Sequence, residues 1–479
     1  MARHEYDAVV VGAGPNGLSA AVELARWGLS VLVLEAKKTV GGGARSAELT
    51  VPGFIHDVCS AIHPMGALSP FFRALPLDQY GLEWVEPDLV LAHPLEDGTA
   101  AVVTRSLEET ARGLGEDEAA YRRLFEPFVA QADELVRAIL NPIRIPDNPI
   151  LMGRFGLRAV RSAEGLIRRF RTDRARALFA GVAGHSVVPM DFAGSASFGL
   201  ALLLGAHTVG WPCARGGSQA IVDALAGYLE HLGGEIRTEH PVRRMEDIPP
   251  ARAVLFDLTP RQVLRVAGEE LPPSYRSQLA SYRYGPGVFK VDWALDGPIP
   301  WTAESCRLAG TVHVGGRYES WAPGEERVWD GERSRDPFVL VSQQSLFDET
   351  RAPAGGHTGW AYCHVPHGSD LDMTDAIEAQ VERFAPGFRD RIIGRSTRTA
   401  RELEAYNPNM IGGDIGGGAN TLWQFLFRPV PRYDPYATPN DRLFLCSSAT
   451  PPGGGVHGMG GANAARSVLR KVFGEKDAG

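Results

Sequence analysis

The sequence predicts an α/β fold in which a helix-flanked parallel sheet is interrupted by a second domain of mixed α+β character. Three observations carry that reading. Near the N-terminus, YDAVVVGAGPNGLSAAVELARWGLSVLVLEA runs from an apolar stretch through a glycine turn and an amphipathic helix into a second apolar stretch, a βαβ unit. At the opposite end, ATPPGGGVHGMGGANAARSVL repeats the strand, glycines, helix pattern from Ala449 to Leu469. Between them the 479 residues, 44% of them hydrophobic, supply helix-periodic and strand-like stretches sufficient for two cores.

In the first unit the apolar run Ala8 to Val11 feeds Gly12, Gly14 and Gly17, and a second run, Val31 to Leu34, is closed by Glu35. Gly12 permits a tight turn, Gly14 lets backbone approach a pyrophosphate, and Gly17 lets helix and strand pack closely. Pro15 and Asn16 open the helix, whose N-terminal N–H groups favour phosphate. Glu35 stands where a carboxylate binds a ribose 2′-hydroxyl and repels a 2′-phosphate. The unit therefore predicts dinucleotide binding.

The next stretch, KKTVGGGARSAEL, adds Gly41, Gly42, Gly43, Ala44 and Arg45 directly beyond Glu35 and Ala36. An NAD domain has no need of this second backbone-rich loop, whereas a flavin dinucleotide uses more amides and a nearby cation. The plain alternative is a surface turn with a solvated arginine.

Charge and cysteine content narrow the function further. A net charge of −8 offers no overall basic field for nucleic acid. Cys59, Cys213, Cys306, Cys363 and Cys446 are odd in number and contain no CxxC pair, so neither a disulfide framework nor a zinc site is expected. The N-terminus passes directly into a strand without a secretory pattern, and ASFGLALLLGA, residues 196–206, is shorter than the about 20 residues a membrane span needs. A cytoplasmic location is expected.

GAGPNG, Glu35 and GGGARS together resemble the flavin-containing amine oxidase and phytoene desaturase superfamily. VPGFIHDVCSAIHP and PPGGGVHGMGGANAAR are similar in particular to its subgroup related to pyridine nucleotide-disulfide oxidoreductase domain-containing protein 2. The resemblance implies a Rossmann-type FAD-binding domain of the glutathione reductase-like kind, assembled from residues 1–75, 210–275 and 405–479. It implies an α+β substrate domain from 76–209 and 276–404, helical in its first part, with a mixed sheet of about six strands in its second. It further implies that DRLFLCSSA is the last strand, that Ser448 and Gly455 approach the cofactor, and that Gly458 and Met459 present N–H groups to the flavin ring. Val242 matches a backbone contact to adenine, and Thr259 ends the strand-like ARAVLFDLTP close to the cofactor.

Reacting side chains are harder to read, because flavin dehydrogenation often needs no acid or base beyond the cofactor. His457, inside the glycine loop, is the first candidate for proton transfer, with backbone bonding as its plain alternative. His63 in AIHPMG and Lys290 in GVFKVDW are further candidates, against a structural histidine and a solvated lysine. His364 and His367 in WAYCHVPHG lack carboxylate neighbours, and no metal site is expected.

The resemblance implies an oxidoreductase acting on a C–C or C–H bond of a hydrophobic molecule. The alternatives are an amine oxidase, a flavin-bound binding or assembly protein with little activity, and an NAD enzyme, which would have no use for GGGVHGMGG. Oxygen, a quinone or a partner protein is the expected electron acceptor. The arginine-rich RFGLRAVRSAEGLIRRFRTDRAR, residues 154–176, reads as a basic amphipathic face suited to an anionic membrane surface, or as an ordinary solvated face.

Overall fold

The computed structural model describes residues 4–475. Its first sheet has five parallel strands in the order Leu443–Leu445, Ala251–Phe256, Tyr6–Val11, Val31–Leu34 and Glu235–Arg237. The central strands read as continuous apolar runs because helices cover both faces, as parallel sheets require. Helix Pro15–Arg26 packs on this sheet beside Gln219–His231 and Met459–Val468. Gly461 is required at the crossing of the first and last helices: an added Cβ would lie 1.8 Å from the Asn16 carbonyl oxygen.

The second sheet has seven strands in the order Ile392–Arg398, Gly287–Leu295, His357–Val365, Val339–Ser342, Ala309–Val314, Leu89–Pro94 and Ala100–Val103. All its pairings are antiparallel except that of Ala309–Val314 with Leu89–Pro94. Residues between Leu107 and Val209 are helical and lie against one end of this sheet, with Ala196–Val209 buried at the centre of the helical layer. DPFVLVSQQSL forms a strand only over Val339–Ser342 and then turns through Gln344–Leu346.

The expected basic face over 154–176 does not exist as one helix. Three helices, Pro149–Ala159, Ala163–Ile167 and Asp173–Ala183, occupy the region. The side chains of Ser162 and Thr172 accept from the N–H groups of Gly165 and Ala175, restarting the helix twice. Phe155, Leu166, Ile167 and Phe170 point into the core, while Leu157 and Val160 are exposed.

A buried ionic cluster ties distant chain passages together. Asp57 accepts from Arg351 Nη1 at 2.9 Å, from the Ser218 N–H at 2.7 Å and from the Ser46 hydroxyl at 2.7 Å. Arg351 also donates to Asp348 Oδ2 at 2.7 Å and to the Ala214 carbonyl at 3.1 Å. Burial pushes the Asp57 carboxyl up, but Arg351 and these donors outweigh it and hold Asp57 below the usual carboxylate range.

Candidate active site

Both glycine junctions open onto a cavity of about 940 Å³. Gly12 turns at φ +104°, and its N–H donates to Leu34 O at 2.8 Å, closing strand to strand. The second loop is fastened by the Gly41 N–H to Ala13 O, 2.8 Å. Gly42 approaches Gly14 so closely that an added Cβ would lie 3.0 Å from the Gly14 Cα. Gly12, Gly14, Pro15, Asn16, Glu35, Ala36, Gly42, Gly43 and Arg45 all line the cavity. Bare backbone at Gly14 and Gly42 is the cradle that a pyrophosphate needs.

Gly17 and Ala44 stand behind this wall. A Cβ on Gly17 would lie 2.0 Å from Gly12 O, and Ala44 is buried with its N–H donating to Gly41 O. Glu35 accepts from the N–H groups of Ala13 and Lys37, each at 2.9 Å, and from Arg45 Nη2 at 3.2 Å. Arg45 also donates to Thr39 O and Gly42 O, so the expected cation braces the second loop. Val242 lines the same end beside His240, whose N–H donates to Glu35 O at 2.8 Å.

The C-terminal junction presents Ser448, Gly455 and His457 to the cavity. Gly458 and Met459, expected to offer N–H groups to the ring, stand directly behind this wall. Gly458 packs against Ser19 and Phe72, and the Met459 N–H donates to His457 Nδ1 at 3.1 Å. An imidazole accepting at Nδ1 carries its proton on Nε2, and burial lowers its pKa to about 4. His457 thus bonds backbone and also faces the cavity. Asn16 links the two junctions, its Oδ1 accepting from the Gly461 N–H at 3.4 Å.

His63 is buried on the cavity wall, with Nε2 3.3 Å from Ser60 Oγ and no partner for Nδ1 among the described residues. Burial, aided by Arg351, lowers it to about 4, leaving a neutral imidazole at pH 7. Lys290 is neither solvated nor on the wall. It is buried in an ion pair with Asp292, and its ammonium lies 5.7 Å from the ring centre of Trp360, which does line the cavity. Thr259 is also off the wall, its N–H donating to Asn409 Oδ1 at 2.9 Å. His364 pairs with Glu325 and His367 with the Gly285 carbonyl, so the two face different partners.

Sequence reasoning missed Asp257, at the end of strand Ala251–Phe256. Its Oδ2 accepts from the Gly17 N–H at 3.0 Å, directly beneath the first glycine loop. Burial raises it to about 7, with the Glu35 charge adding to the rise and the Gly17 and Gly14 N–H groups opposing it. A carboxyl at the C-terminal end of a parallel strand was the available signal. The folded protein holds this proton up to about pH 7 and the unfolded chain only to about 3.8, so stability falls as pH rises between those values. Asp257→Asn is expected to remove that slope from the thermal midpoint and to raise the midpoint at pH 8, as calorimetry across this range would read.

Leu135, Ile139, Met152, Phe155, Phe198, Leu202 and Phe425 also line the cavity, with Glu134, Arg137, Arg144 and Asp147 among the polar groups that the same helical layer contributes. Trp360 and Tyr362, successive same-face residues of one strand, stand on the sheet side with ring centres 5.2 Å apart. His185 is a further imidazole on the wall, its Nε2 3.1 Å from that of His313 behind it. All five cysteines are free, and no helix among the described residues is long and apolar enough to cross a membrane.

Residues 10–75 match the NAD(P)-binding Rossmann-like domain family. Pyridine nucleotide-disulfide oxidoreductase domain-containing protein 2 of Rattus norvegicus is 28% identical over 566 residues, covering 98% of this chain and 94% of that protein. The neurosporene-forming phytoene desaturase of Rhodobacter capsulatus is 26% identical, over 94% of this chain and 91% of the desaturase. Putrescine oxidase bound to putrescine shares the fold, with a TM-score of 0.63 at 20% identity, across 97% of this chain and 99% of the oxidase. With both glycine junctions opening on one cavity, the chain is homologous along nearly its full length to pyridine nucleotide-disulfide oxidoreductase domain-containing protein 2 and to a phytoene desaturase, and it shares its fold with putrescine oxidase.

Proposed function

We propose that the protein is an FAD-dependent oxidoreductase that removes hydrogen from a C–C or C–H position of a hydrophobic small molecule. One observation carries this reading: the dinucleotide cradle and a set of apolar side chains from the helical layer line a single cavity. FAD, when bound, supplies the acceptor for a hydride leaving a substrate carbon. The residues fit that cofactor. Gly12, Gly14 and Gly42 give backbone to the pyrophosphate, Glu35 a carboxylate to the ribose, Val242 the adenine end, and Gly455 and His457 the opposite end.

The chain's own contribution is orientation and exclusion of water. Leu135, Met152, Phe155, Phe198 and Phe425 hold an apolar substrate by burying its surface, and placement near the reacting centre supplies much of the rate. His63, neutral at pH 7 and with Nδ1 unpartnered among the described residues, takes the proton that leaves with the hydride, whereas His457, its Nδ1 occupied and its proton on Nε2, serves only as a donor. The electron acceptor is proposed as oxygen, a quinone or a partner protein.

Trp360 and Tyr362 favour a second reading, oxidation of an amine held against the aromatic pair. Anaerobic mixing of the flavoprotein with each donor class separates the two. Bleaching of the oxidised flavin band by lipophilic hydrocarbons and not by amines is the expected result. Bleaching by amines alone supports the second reading, and no bleaching by either supports a flavin-bound protein with a binding role.

A further inference from the structure

Seven of the eleven large hydrophobic side chains exposed among the described residues belong to two segments: Ile143, Ile145, Ile150, Leu157 and Val160 on one, Trp423 and Phe427 on the other. The segments adjoin. The Val160 carbonyl accepts from the Gly194 N–H at 3.1 Å, and an added Cβ on Gly194 would lie 3.2 Å from the Leu422 side chain. Ile143, Val160 and Leu422 also line the cavity, so the exposed apolar surface surrounds its mouth. An apolar rim gathered at one opening marks an interaction surface, where scattered exposed residues would not.

Arginines border this rim. Arg144, Arg154, Arg161 and Arg169 are exposed and Arg158 is half-buried, and none of the five has an ion pair among the described residues. Arg158 and Arg161 donate only to carbonyls of their own helix, those of Arg154 and Leu157. Partial burial disfavours the charge on Arg158 most, and Arg169, Arg154 and Arg161 lie close enough to add to that effect, so these positive charges sit together with no ion pair among the described residues.

We propose that this surface docks the protein on an anionic phospholipid bilayer, with the cavity mouth against the lipid. Aliphatic and tryptophan side chains enter the boundary between headgroups and acyl chains while guanidinium groups meet the phosphates. A second copy of the chain is the poorer occupant, because a two-fold contact would set the same unpaired arginines against themselves. The inference rests on the reading of the cavity as a site for a hydrophobic molecule, which the bilayer would then supply directly.

Flotation of the flavoprotein with vesicles of phosphatidylcholine, and of phosphatidylcholine mixed with phosphatidylserine, tests it without any turnover. Binding to the mixed vesicles, weak binding to the neutral ones and weakening by salt are expected. Arg154→Glu, Arg158→Glu and Arg161→Glu together should lose about a hundredfold in vesicle affinity, at about fivefold for each cation. Ile145→Ser, Ile150→Ser and Trp423→Ser, none of them on the cavity wall, should weaken binding while leaving flavin content and thermal midpoint unchanged. Equal binding to both vesicle types, no binding to either, or a dimer abolished by the serine variants overturns the proposal. Vesicle binding without flavin reduction by any donor sinks the catalytic reading alone, and reduction without vesicle binding sinks the docking alone.

Discussion

Replacing Arg351 by methionine lowers the unfolding free energy by about 3–5 kcal/mol, the cost of leaving a buried charge without its partner. Asp57 and Asp348 would both lose their guanidinium in a place closed to water. Urea unfolding of variant and parent, followed by fluorescence, measures the loss, and a change below about 1 kcal/mol, the range of a surface pair, would sink the account. The pH dependence has a definite sign. Asp57 is held below its unfolded value, so its contribution is complete above about pH 4 and is lost as pH falls through the depressed folded value. Without Arg351 the acid transition moves to higher pH. The double variant Asp57→Asn, Arg351→Met should recover part of the stability, because it leaves fewer uncompensated charges.

The second large effect belongs to Gly17. An alanine there would place its Cβ 2.0 Å from Gly12 O, against backbone that a side-chain rotation cannot relieve. The first turn of helix Pro15–Arg26 must then move away from the strand end, and with it the Asn16 side chain that reaches the last helix. Overpacking of this kind costs about 1–3 kcal/mol or more. Gly17→Ala is expected to purify nearly colourless, with the ratio of flavin to protein absorbance at least tenfold down. A control at Gly113, where an added Cβ meets nothing within 4 Å and the backbone is helical, should keep its flavin. A yellow Gly17→Ala protein with normal flavin content would refute the packing role.

Local patterns were readable where one stretch of chain does a complete job. The turn at Gly12, the backbone floor at Gly42 and the strand Gly287–Leu295 are each determined within a dozen or so neighbours. Residues whose role depends on a distant partner were not readable. Asp257 reaches the Gly17 N–H across 240 residues of sequence, and Arg351 reaches Asp57 across 294. Lys290 shows the limit at short range. Its neighbours were known to be apolar, but its partner Asp292 lies two residues on, on the same face of the same strand, and the pair is sealed behind Trp360. The run 154–176 read as one helical piece because charge spacing was weighed above Ser162 and Thr172, whose capping side chains divide it into three helices.

The order of strands in the five-stranded sheet bears on how the protein is made. Tyr6–Val11 and Val31–Leu34 leave the ribosome first, but the neighbours that complete the sheet are Glu235–Arg237, Ala251–Phe256 and finally Leu443–Leu445. Until the chain reaches Ala251–Phe256, near its midpoint, it therefore carries two apolar strands with open edges, a template for pairing with other chains. From then until Leu443–Leu445 emerges, the open edge is that of Ala251–Phe256. Expression of this protein should thus be limited by protection of an unfinished sheet during translation, and truncation anywhere before Leu443 should yield aggregate in place of a smaller folded domain.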